Sequence, residues 1–109
     1  MIVNLTPHDV NFIMEDGMTV TFQSAGIARA KQTNAEAGNI EGFRIVRASY
    51  GEPEGLPMPE AGTYYIVSVL TAAAAKASGR TTDDLLLTAD AVRNEAGQIV
   101  GCKAFALYE

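Results

Sequence analysis

Apolar residues in this chain occur in short runs that mostly alternate with polar ones, and one stretch stands out by changing period. That stretch, Val69 to Ala77, is alanine-rich and lies between Ser68 and Gly79. Alanine has the highest helix propensity, serine is a favoured N-cap, and a glycine just past the last turn supplies the left-handed residue on which helices end. The main helix is therefore predicted near 68–78.

The remaining segments read as strands and turns. Val3 to Leu5 is a short apolar start, followed by a turn at Thr6-Pro7-His8-Asp9, where proline biases its predecessor towards extended geometry. Val10, Phe12 and Met14 alternate with Asn11 and Ile13, and Val20 and Phe22 alternate after Glu15-Asp16-Gly17-Met18. Asp-Gly accepts the positive φ values of a tight hairpin turn. Ile27 to Thr33 is a weaker strand with Arg29 and Lys31 on one side, and Asn34 to Gly42 reads as a loop. Phe43 to Tyr50 alternates again. Gly51 to Gly62 holds three prolines and three glycines and reads as a long irregular connection. Thr63 to Val67 is the clearest strand. Thr82-Asp83-Asp84 offers capping oxygens for a second short helix over Thr81 to Leu87, and the chain closes with a hairpin around Glu95-Ala96-Gly97.

This order predicts one α+β domain over 1–109. Its sheet is mostly antiparallel and twisted, of about six or seven strands, with one main helix on a face. Barrel-like closure is compatible with that order. A chain of 109 residues suits a single domain. With one cysteine, Cys102, and one histidine, His8, it can form neither an internal disulfide nor a His-rich metal site, and no cofactor is expected.

The formal net charge is -5, from 13 acidic and 8 basic residues. Phosphate neutralisation dominates nucleic-acid affinity, so an acidic domain is not expected to bind DNA or RNA. A small anion is a different case, because two or three local arginines suffice to hold it. The start, Met1-Ile2-Val3-Asn4, lacks a basic segment followed by an apolar one, so no signal peptide is expected. The longest apolar-leaning run, Tyr64 to Ala75, is too short to span a bilayer. Both features fit a cytoplasmic protein that does not bind membranes.

Several positions are candidates for chemistry. Ser68 begins the predicted helix, where free N–H groups and the positive dipole end favour an anion; the same serine is also an ordinary N-cap. Arg80 follows the helix and can either complement its C-terminal dipole or grip a phosphate. Asp83 and Asp84 either cap the next element or accept from ribose hydroxyls. His8 is the one side chain suited to proton transfer near neutral pH. Asp9 orients it poorly, since neighbours on a strand point to opposite faces. Arg29 and Arg93 are strand residues able to neutralise phosphate or simply face solvent. Cys102 lies within an apolar alternation and is expected to behave as a small hydrophobe rather than a nucleophile.

Taken together, Asn4-Leu5-Thr6-Pro7-His8, Ala28-Arg29, Tyr65-Ile66-Val67-Ser68, Arg80 followed by acidic residues, and the run from Val92 to Cys102 are similar to a family of small uncharacterised proteins of phages and prophages. The opening Asn-Leu-Thr-Pro-His is its mark, and the resemblance spans nearly the whole chain. Where family members have a Pro-Ser-Gly turn, this chain reads Gln23-Ser24-Ala25-Gly26. The resemblance implies an anti-defence context in the host cytoplasm, in which a small protein sequesters a cyclic or ADP-ribose-type nucleotide signal. The residues to watch are then His8, Arg29, Ser68, Arg80, Asp84 and Arg93.

The reading that follows is a non-enzymatic sponge for a small anionic, nucleotide-like ligand, working as a homo-oligomer because so short a chain has little room for a deep pocket. Two other classes compete with it. One is a small nucleotide hydrolase or lyase using His8 with Asp83 or Asp84. The other is an inhibitor of a host protein that makes contact through Gly51 to Gly62.

Overall fold

A computed structural model describes residues 1–109. Eight strands and one helix follow in the order β1 (Ile2–Asn4), β2 (Val10–Ile13), β3 (Thr19–Phe22), β4 (Arg29–Ile40), β5 (Phe43–Glu54), β6 (Tyr64–Ile66), α1 (Val69–Ala77), β7 (Leu85–Arg93) and β8 (Ile99–Leu107). The fold is α+β, with its main helix where the one alanine-rich stretch predicts it.

Six strands form one sheet in the order β1-β6-β7-β8-β2-β3. Its longer ladders, β7 with β8 and β2 with β3, are antiparallel. Short parallel pairings join β1 to β6, β6 to β7 and β2 to β8. The sheet curls until its two ends meet. Asn4 on β1 bridges Ser24 just beyond β3, and the Ala25 N–H donates to the Asn4 carbonyl at 2.8 Å, so the sheet is nearly a closed barrel.

The helix ends as its sequence dictates. Ser68 is the N-cap, accepting from the Thr71 N–H at 3.2 Å. At the other end Gly79 has φ +87°, its N–H reaches the Lys76 carbonyl, and the Arg80 N–H reaches that of Ala75. That pair of bonds is a Schellman ending. The buried face of α1, with Ala72 and Ala75, packs into a core shared with Leu5, Ala28, Tyr65, Val67 and Leu85. Small alanines let the helix lie close to the sheet while the larger strand residues fill the space between.

β4 and β5 form a separate two-stranded arm. It corrects two readings of the sequence. Asn34 to Gly42 is not a loop: β4 runs to Ile40, and Glu41-Gly42 turns the chain with φ +52° and +86°. Two successive positive φ values mark the tight hairpin turn whose twist suits paired strands. The irregular connection begins only after Glu54, because Gly51 to Glu54 still belong to β5. A third correction concerns Thr81 to Leu87, which does not start a helix. Thr82 closes a turn by accepting from the Leu85 N–H at 3.1 Å, and Leu85 and Leu86 pair in parallel with Tyr65 and Ile66. Leu85 is fully buried there, so core packing and ladder hydrogen bonds outweigh the local capping signal.

Candidate functional site

The opening motif is architectural at its first position. Asn4 is buried, and its side-chain Nδ2 donates to the carbonyl oxygens of His8 and Phe22, while its Oδ1 accepts from the Thr6 N–H and the Thr6 hydroxyl. A buried amide with so many partners fixes the turn that carries His8. The motif therefore closes the barrel and delivers its histidine to one place on the surface.

That place is a half-open groove of about 630 Å³ across the start of β2, the middle of β7 and the start of β8. The size lies within the usual range for small-molecule sites. Its polar lining includes His8, Asp9, Asn11 and Asp90, set among Val10, Ala89, Val100 and other small or apolar residues. Two of the polar groups are already engaged. The Asp9 carboxylate accepts from the Ser24 N–H at 3.1 Å. The Asn11 side chain donates to the Val100 carbonyl and accepts from the Thr21 hydroxyl. The His8 ring and the Asp90 carboxylate make no side-chain hydrogen bond within the chain, and both residues are exposed. Asp90 also holds φ +53°, a conformation uncommon for residues other than glycine.

Cys102 lines the floor of the groove and is buried. Burial pushes its thiol pKa up, against the smaller lowering effect of hydrogen bonds with the backbone of Ala104 and Ala89. A thiol held protonated is a poor nucleophile.

The six residues singled out from the sequence do not gather here. His8 alone lines the groove. Arg93 lies at its margin, because the β7–β8 register sets it opposite the lining residue Ile99, and its guanidinium donates to the Gly97 carbonyl at 2.7 Å. Arg80 and Asp84 do meet, but each other: two parallel bonds of 2.8 and 2.9 Å join guanidinium to carboxylate, largely shielded from water. The same guanidinium also donates to the carbonyls of Pro57 and Thr81. This fork ties the Pro/Gly connection to the foot of β7.

Ser68 is likewise engaged. The Thr71 hydroxyl donates to the Ala28 carbonyl, so in the Ser68–Thr71 pair the Ser68 hydroxyl is the donor. Arg29 stands at the base of the arm opposite Glu54. Asp83 accepts from the Thr81 hydroxyl and does not line the groove. The carboxylates that accompany His8 are Asp9 and Asp90 instead.

Sequence reasoning missed Asp90. Its one signal was a charge inside the otherwise uncharged run Leu85 to Val92, which a strand does not need for folding. Comparison with family models, with curated proteins and with solved structures found no match to this chain. No helix of the structure is long and apolar enough to cross a membrane.

Proposed function

We propose that this chain is a non-catalytic binding protein for a small nucleotide-like ligand, received in the groove beside His8. The observation that carries the reading is the groove itself: mixed lining, suitable volume, and two unengaged polar side chains, His8 and Asp90, in it. An exposed carboxylate is an acceptor for the amino and imino donors of a nucleobase edge. Arg93 lies three residues beyond Asp90 on β7, past the positive φ at Asp90 and the register shift at Val92–Arg93 that turn the strand between them. A ligand with its base at Asp90 would bring a phosphate towards Arg93, the cation at the groove margin. His8 would hydrogen-bond the sugar or base. With the phage context expected from the opening motif, such binding would serve to sequester a signal nucleotide.

The test is thermal shift of the purified protein against mono-, di- and cyclic nucleotides and ADP-ribose isomers, followed by recovery of the ligand. Stabilisation grows with ligand concentration over Kd, so even a micromolar binder registers at millimolar ligand. The reading expects a specific upward shift, loss of that shift in His8→Ala, Asp90→Ala and Arg93→Ala, and a ligand returned unchanged. A ligand returned as product would instead favour turnover at the same groove. A panel with no response would overturn the nucleotide reading.

A further inference from the structure

We infer that the groove selects guanine among the nucleobases, and that Asp90 makes the selection by accepting two parallel hydrogen bonds from the guanine N1–H and N2 amino group. The inference rests on the nucleotide reading above and narrows it to one base.

The lining asks for donors from its ligand. No lysine or arginine lines the groove, and its acidic side chains are Asp9 and Asp90. The Asn11 amide already donates to the Val100 carbonyl and accepts from the Thr21 hydroxyl. One Asp9 oxygen is taken by the Ser24 N–H. The His8 ring and the Thr88 hydroxyl can both donate and accept, whereas an ionised carboxylate only accepts. Asp90 is thus the lining carboxylate with both oxygens unengaged.

The backbone singles out the same residue. Ala89 pairs with Ala104, and Ala91 with Cys102, in one continuous register across β7 and β8. Asp90 stands between them at φ +53°, outside the ladder. Because the register is the same on either side, this excursion corrects nothing in the pairing. Residues held in sparsely populated backbone regions cluster where ligands are gripped.

The donor pattern then selects the base. Guanine sets two donors side by side on its Watson–Crick edge, and a carboxylate takes such a pair with one oxygen each. Adenine and cytosine set one amino donor beside a bare ring nitrogen, so the second oxygen meets another acceptor. Uracil flanks its single N–H with carbonyl oxygens, with the same result. Ile99 and Val100 also line the groove and are 60% and 43% exposed, which gives the flat ring an apolar surface to cover.

The test measures binding of guanosine, inosine, adenosine, cytidine, uridine and xanthosine monophosphates to the wild-type protein and to Asp90→Asn, with far-UV circular dichroism to verify folding. Asparagine tolerates the left-handed region as aspartate does, so the variant should keep its backbone. The wild-type protein should prefer the guanine nucleotide by about tenfold or more, since hydrogen bonds to a charged group are among the strong ones. Inosine monophosphate lacks the N2 amino group and should bind about tenfold more weakly than the guanine nucleotide. Xanthine carries a carbonyl where guanine carries that amino group. An asparagine amide can donate to this oxygen while accepting from N1–H, so Asp90→Asn should reverse the preference from guanine to xanthine. A folding defect would lose both ligands rather than exchange them. Equal binding of all bases, a guanine preference unchanged in Asp90→Asn, or a variant that loses guanine without gaining xanthine would overturn the inference and leave the nucleotide reading standing. The guanidinium compound agmatine presents parallel donors without a base; a thermal shift equal to that of guanosine monophosphate would likewise overturn it. No response to any nucleotide would overturn both.

Discussion

The side-chain Nδ2 of Asn4 donates to the carbonyl oxygen of Phe22 at 2.9 Å, and so joins the first strand of the sheet to the last. The same amide holds the His8 carbonyl at 2.8 Å. Closure of the barrel and presentation of the histidine thus depend on one buried side chain. Asn4→Ala would take this partner from the Thr6 N–H and the Phe22 carbonyl, while the His8 carbonyl would keep only the Thr6 hydroxyl. An unsatisfied buried polar group costs about 1–3 kcal/mol, so a loss of roughly 3 kcal/mol or more in urea unfolding is expected. Asn4→Asp should also destabilise, because it turns a double donor into an acceptor facing two carbonyl oxygens.

Gly55 and Gly62 provide a paired comparison. Both have positive φ, +77° and +78°. A Cβ at Gly55 would sit 2.5 Å from the Ile27 carbonyl oxygen, whereas one at Gly62 would meet nothing within 4 Å. Gly62→Ala should therefore show only the left-handed backbone cost, about 1–2 kcal/mol. Gly55→Ala adds a clash with backbone that cannot swing aside, and its chemical-denaturation midpoint should fall clearly below that of Gly62→Ala.

Arg80 and Asp84 are expected to act on stability before they act on any ligand. Their side chains are 12% and 11% exposed. Arg80→Ala would strand a shielded carboxylate, and breaking a buried pair on one side costs about 3–5 kcal/mol; the residual exposure puts the expectation at the lower end. The double variant Arg80→Ala/Asp84→Ala should lose less than the two single losses added together, a non-additivity that a double-mutant cycle in urea measures directly.

Cys102 predicts a pH limb. Burial raises its thiol pKa in the folded state, so at alkaline pH the unfolded chain gives up this proton first. Deprotonation then favours unfolding. The contribution is absent at neutral pH and grows as pH rises past the ordinary thiol value of about 8.5. Wild-type stability should fall above that point more steeply than that of Cys102→Ala. In the folded protein at neutral pH the thiol should react slowly with a disulfide reagent, and rapidly once urea unfolds the chain.

The local elements were legible where short-range chemistry decides them. Ser68 and Gly79 bracket α1 because capping and left-handed glycine act within a few residues, and the predicted helix near 68–78 matches Val69–Ala77 and its two caps. Asp16-Gly17 turns β2 into β3 for the same reason, with φ +87° at the glycine. The arm was only half legible. Glu41-Gly42 is a weaker turn signal than Asp-Gly, and Asn34 to Asn39 has the composition of a loop; what makes it a strand is the backbone pairing supplied by β5.

By itself the sequence determined an α+β chain, its main helix and most of its strands, because periodicity and caps are properties of neighbouring residues. Only the tertiary structure decided what the polar residues do. Arg80 and Asp84 look equally free in the sequence, yet they face each other across the end of α1. His8 and Asp90 are far apart along the chain, yet line one groove. Such meetings depend on strand order and barrel closure, which arise from long-range pairing that no local pattern encodes.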